Sequence, residues 1–133
     1  MTRAKLAVFV TSLLVTGAPL LAHHSFVAEF DINAPVTLTG VVTKVEWTNP
    51  HTYFYVDVTD QTGSVVNWIC QTGSPNALEN RGWKRGSLKA GDPVSVRAYR
   101  AKASTNFVNA RSVQLPGGRW VFAGSSGDFG PER

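Results

Sequence analysis

The run from Val41 to Val58, V-V-T-K-V-E-W-T-N-P-H-T-Y-F-Y-V-D-V, constrains this chain more than any other stretch. β-Branched and aromatic residues alternate on both sides of a four-residue corner, Thr48-Asn49-Pro50-His51. That pattern predicts two long strands folded against each other. Pro50 has no N–H to give a sheet ladder, so it belongs at the corner and not inside a strand. His51, one of three histidines in the chain, sits at the same corner.

The rest of the chain repeats the strand period. Val36 to Trp47 reads as the first strand. Val36 and Leu38 share a face, and after Gly40 the apolar set shifts to Val41, Val45 and Trp47. A shift of one in a period of two marks a bulge or a sharp bend, and glycine permits it. A long first strand bent there can serve two sides of a small closed barrel. The second strand, His51 to Thr59, puts Phe54, Val56 and Val58 on its core face and His51, Tyr53, Tyr55 and Asp57 on the other. Asp60-Gln61-Thr62-Gly63 is a hairpin turn. The third strand, Val65 to Thr72, sets Val66, Trp68 and Cys70 against Asn67, Ile69 and Gln71.

Ser74 and Pro75 then open a helix expected to run to about Arg81 and stop at Gly82, with Trp83 folded back as a plug. Lys89-Ala90-Gly91-Asp92 turns into a fourth strand, Pro93 to Tyr99. A polar loop covers 101–108. Asn109 to Leu115 is the fifth strand, and Pro116-Gly117-Gly118 turns it into a further strand, Arg119 to Ala123. In the arm 23–35, pinned by Phe26, Phe30 and Ile32, Phe26 and Phe30 suit a helical turn after Ser25, and the set Phe26, Ala28, Phe30 and Ile32 equally suits a strand; the arm is read as extended or irregular. The tail 124–133 is rich in Gly and Ser and is expected to be mobile. The order β-β-β-α-β-β predicts an all-β fold with one short helix. Its form is a small five-stranded OB-like β-barrel over 36–123 with a C-terminal hairpin extension. A length of 133 residues fits one such domain.

The N-terminus has the layout of a secretory signal: Arg3 and Lys5, then the apolar Leu6 to Val15, then small residues ending at Ala22. The apolar stretch is too short to span a bilayer, so no membrane anchor is expected. Cleavage after Ala22 makes segment 1–22 the signal and His23 the first mature residue, in an exported, periplasmic or secreted, protein. Without Arg3 and Lys5 the net charge of +4 falls to +2, too weak to argue for nucleic acid. Cys70 is the only cysteine, so no intramolecular disulfide is available. It reads as a packed core residue, with a metal ligand or redox thiol as the alternative.

A-H-H-S-F at 22–26, P-V-T-L-T-G-V-V at 35–42, E-W-T-N-P-H at 46–51, S-P-N-A-L at 74–78, R-G-W at 81–83 and N-A-R-S-V at 109–113 resemble, in combination, a family of small exported bacterial proteins. That family is known as a domain of unknown function. The resemblance spans nearly the whole mature chain. It implies export and one compact domain, and it brings no catalytic residues.

Three sets of residues carry candidate chemistry. His23 at a mature N-terminus offers an amine and an imidazole together, and His24 or His51 can add a third nitrogen. Such a set suits copper(II) first and zinc next. The competing reading leaves the first two solvated and His51 at a corner. The second set is the face of His51, Tyr53 and Tyr55 beside Asn67 and Gln71. Aromatic side chains there can stack on a small molecule or a protein partner, or lie under another element as a second small core. The third is the polar group Asn76, Arg81, Arg100, Lys102, Asn109 and Arg111. Its arginines, Arg100 first, suit an acidic ligand or close loops; Glu46 is a possible partner for one of them. No catalytic triad order, carboxylate pair or phosphate loop stands out, so a non-catalytic binding module is expected.

Overall fold

The computed structural model describes residues 26–124. The expected signal at 1–22, His23, His24 and the tail from residue 125 lie outside the described residues. Six strands follow a helical turn at 26–29: β1 (Phe30–Glu46), β2 (Tyr53–Thr59), β3 (Val65–Gln71), β4 (Pro93–Ala101), β5 (Phe107–Gln114) and β6 (Trp120–Phe122). One helix, α1 (Pro75–Glu79), stands between β3 and β4. The sheet order is β3-β2-β1-β4-β5-β6, and an added parallel pairing of β3 with β5 closes the first five strands into a ring. β6 pairs with the second half of β5 and completes a C-terminal hairpin.

β1 explains why the ring closes. Its first part, to Val41, pairs with β4, and its last part, from Val41, pairs with β2. The strand changes partner beside Gly40, where a Cβ would stand 2.0 Å from the Asp57 carbonyl oxygen. Glycine is there for close approach of a neighbouring backbone. The change of face expected at Gly40 falls later. Leu38 and Val42 are both buried on the inner face, and the register shifts between Val42 and Lys44. Thr43 is thus the extra residue, Val45 and Trp47 return to the core, and Val41, expected inward, is exposed.

The arm takes both of the forms its sequence allows. Residues 26–29 turn helically, and β1 already begins at Phe30. Phe26 and Phe30 anchor it, with ring centroids 5.4 Å apart, and Phe30 stacks edgewise on Phe107 at 5.3 Å. Ile32 does not contribute: it is 41% exposed.

The core collects Leu38, Val42, Phe54, Val56, Cys70, Val96, Val108 and Val113 from the inner faces of the ring strands. Cys70 is fully buried, and burial pushes its thiol far above the usual range, so it acts as a small apolar side chain. In α1 the Ser74 hydroxyl accepts from the Ala77 N–H at 3.1 Å, and Pro75 takes the first turn. The helix ends at Glu79, short of Arg81, and Gly82 with φ +90° turns the chain so that the Trp83 N–H reaches the Leu78 carbonyl. Trp83 does fold back into the core.

Asp92 closes the loop before β4. Its carboxylate accepts from the Lys89 N–H at 2.9 Å and the Lys89 ammonium at 3.0 Å. Burial works to raise its pKa, but the Lys89 bonds and charge outweigh it, and the carboxyl is held below its usual value. A lowered folded value adds stability above the ordinary aspartate range, and that stability is lost as pH falls through the folded value. Acidification is therefore expected to shrink the gap in urea midpoint between the wild type and Asp92→Asn. A gap unchanged between neutral and strongly acidic pH would remove Asp92 from the acid response.

Candidate functional site

The bulge at Thr43 builds the outer face. By strict alternation from Leu38 and Val42, Lys44 and Glu46 would point into the core. The extra residue turns them outward, opposite β2. Glu46 then pairs with Tyr53, which pairs with Gln71, and Lys44 pairs with Tyr55, which pairs with Ile69. Directly opposed residues of antiparallel strands share a face, so these two rows form one surface. Ile69 continues across the parallel pairing to Phe107.

A cleft of about 600 Å³ opens on this surface. Glu46, Tyr53, Tyr55, Ile69 and Phe107 line it, and residues 103–106, between β4 and β5, complete the wall. The Tyr55 hydroxyl donates to Glu46 Oε2 at 2.9 Å, and Lys44 forms an ion pair with Glu46. The Tyr53 hydroxyl donates to Gln71 Oε1 at 3.3 Å. Hydrogen bonds from Lys44 and then Tyr55 hold the Glu46 carboxyl below its ordinary range. The bond to Glu46 raises the Tyr55 phenol, and burial, followed by the charges of Glu29 and Glu46, raises that of Tyr53. At neutral pH the cleft therefore presents a carboxylate paired with Lys44 and the Tyr55 phenol, beside the Tyr53 phenol, with an apolar wall from Ile69 and Phe107. This combination suits an apolar ring carrying a hydrogen-bond donor or a cation.

The expected site residues divide. Tyr53 and Tyr55 line the cleft together. Gln71 lies under Tyr53 and is buried. Asn67 shares the face but lies one row beyond, where its amide donates to Asp57 Oδ1 at 2.7 Å and Thr43 Oγ1 at 3.2 Å. Arg100 does not line the cleft: its guanidinium sits 5.1 Å from the centre of the Trp68 ring. Glu46 pairs with Lys44, not with an arginine.

His51 stays at the corner, which contains a cis Asn49–Pro50 peptide bond. Its Nδ1 lies 2.8 Å from the Thr72 carbonyl oxygen. A carbonyl only accepts, so Nδ1 carries the proton there and, in the neutral ring, Nε2 keeps the lone pair. No group of three His, Cys, Asp or Glu side chains gathers at one point among the described residues. Sequence reasoning missed Phe107 and the 103–106 wall. The signal available was a lone aromatic closing an otherwise polar loop.

A model of a family of unknown function, DUF6152, matches residues 10–109, from ahead of the arm to the first half of β5. A search of curated proteins gives no match. With three quarters of its length matched, the chain belongs to the family of unknown function DUF6152.

Proposed function

We propose that this protein is a non-catalytic binding module of the bacterial periplasm, exported by a signal cleaved after Ala22, and that its closed ring is an OB-like barrel. The ligand lies on the β2 and β3 face. One observation carries this reading: the concave cleft lined by Tyr53, Tyr55, Glu46 and Ile69 sits on that face. In OB barrels strands two and three and the loop between strands four and five form the binding surface, and the cleft uses the equivalent parts. Its concave shape favours a small molecule over a flat protein surface. No helix among the described residues is long and apolar enough to cross a membrane.

The ligand class follows from the lining. An aromatic amine places its ring on the tyrosines and its ammonium on Glu46. Tryptamine is a suitable test compound, titrated by calorimetry. Tyr53→Ala and Tyr55→Ala are each expected to weaken its binding by about tenfold, roughly 1.4 kcal/mol, while the thermal transition stays cooperative. Unchanged affinity in both variants would sink the assignment of the face.

One observation favours a second reading, a copper or zinc site built on His23 with His24 or His51. The Nδ1–carbonyl bond of His51 is the support a metal-bound imidazole commonly has, and it leaves Nε2 as the ligand atom. Copper(II) should then bind one to one to the chain beginning at His23 and weaken when one residue is added before it. Equal affinity for the two chains would exclude the terminal amine.

A further inference from the structure

Arg111 lies away from the cleft and in an uncommon setting. Arg97 pairs with Ser112 and Ala98 with Ala110, so Arg111 is the extra residue of a bulge in β5. Bulges re-aim side chains. This one leaves Arg111 only 6% exposed, with its guanidinium 5.8 Å from the Tyr99 ring centre and 5.7 Å from that of Phe122. Its Nε is buried without a hydrogen-bond partner, and no carboxylate pairs with it among the described residues. Burying an arginine's charge is unfavourable unless it is paired, and two aromatic faces offset only part of that cost.

The same side chain lines a cavity of about 300 Å³ with Pro35, Val36, Thr37, Arg97 and Tyr99. Arg97 brings a second guanidinium, 4.4 Å from the centre of the Trp120 ring. Among the described residues, no acidic side chain lines the cavity. The buried Arg111 guanidinium, a hydroxyl and an apolar wall define a complementary guest: an anionic head on a short hydrocarbon body. We infer that the Arg111 cavity is a second binding site, for a small organic carboxylate, separate from the tyrosine cleft. The carboxylate forms charge-assisted hydrogen bonds to guanidinium, and its hydrocarbon part lies on Pro35, Val36 and Tyr99.

Two sources supply that chemistry: a free organic acid, or Asp128 and Glu132 of the chain's own C-terminal segment, which lies outside the described residues. The full mature chain is titrated with butyrate at constant ionic strength, with chloride as the balancing anion, and amide resonances are followed. Saturable shifts are expected at Thr37, Ala98 and Tyr99. Arg111→Met is expected to weaken binding by about tenfold or more. Methionine fills much of the space and removes an unpaired buried charge, so this variant is expected to melt no lower than the wild type. In Asp128→Asn/Glu132→Gln, unchanged affinity identifies a free acid as guest. Several-fold tighter butyrate binding identifies the chain's own carboxylates as occupants, and either outcome supports the site. The proposal is overturned by no saturable binding in either the wild type or the double variant, or by full affinity in Arg111→Met. Shifts gathered around Tyr53 and Tyr55 also overturn it, as does inorganic phosphate binding more tightly than butyrate.

Discussion

Gly40→Ala is expected to cost about 3 kcal/mol or more, a large share of the stability of a domain this size. The added Cβ would meet the Asp57 carbonyl oxygen at 2.0 Å and Val56 Cγ1 at 2.9 Å. The first of these is backbone, held by the β1–β2 ladder, and cannot swing aside as a side-chain tip can. Val41 pairs with Asp57 on one side and Pro93 on the other, so moving β1 away disturbs both ladders together. Gly40 does not have a positive φ. Its requirement is space, and the loss should grow from alanine to valine. Gly86 is the control: it has open space around its Cβ position and no positive φ. Gly86→Ala should stay within about 0.5 kcal/mol of the wild type. Urea unfolding of the three chains decides the point. A Gly40→Ala midpoint close to the wild type would mean that β1 and β2 do not approach as described.

Trp83→Ala is the second large effect, expected at about 3–5 kcal/mol. The indole is 4% exposed and packs in the main core, and its Nε1–H donates to the Phe122 carbonyl at 2.9 Å. Truncation leaves a cavity and an unpaired carbonyl. Trp83→Phe keeps most of the packing but not the bond, so it should fall between the wild type and alanine. The loss has a location as well as a size. β6 is three residues long, and Trp83 ties it to the segment after α1. Amides of Val121 and Phe122 should exchange faster in Trp83→Ala than those of β2. Equal acceleration throughout would show that Trp83 supports the core without holding β6 in particular.

Much of this was legible in the sequence because it depended on local chemistry. The corner around Pro50, the inward set Phe54 and Val56, the Ser74 cap and the return of Trp83 each follow from a backbone rule or a period of two. The bulge position was not legible. Gly40 looked like the bend, but it answers to the approach of β2, and the register shift sits at Thr43, a residue with no bulge signature. That displacement decides which side Lys44 and Glu46 face, and hence the charge in the cleft. The β3–β5 pairing that brings Phe107 beside Ile69 joins residues far apart in the chain, and no short-range pattern encodes it. Arg111 was legible as one of a polar set suited to an acidic ligand, but its burial was not, for the same reason. Its burial comes from Tyr99 and Phe122, which meet it only in the folded sheet, while Arg100, its rival in the sequence, turned to Trp68.

The most direct test of the binding face is a map of amide shifts in the uniformly labelled protein on addition of tryptamine. A site on the β2 and β3 face predicts saturable shifts that cluster at Glu46, Tyr53, Tyr55, Ile69 and residues 103–107, and that vanish in the Tyr53→Ala/Tyr55→Ala double variant. Shifts centred elsewhere, or a map unchanged by that double variant, would contradict it.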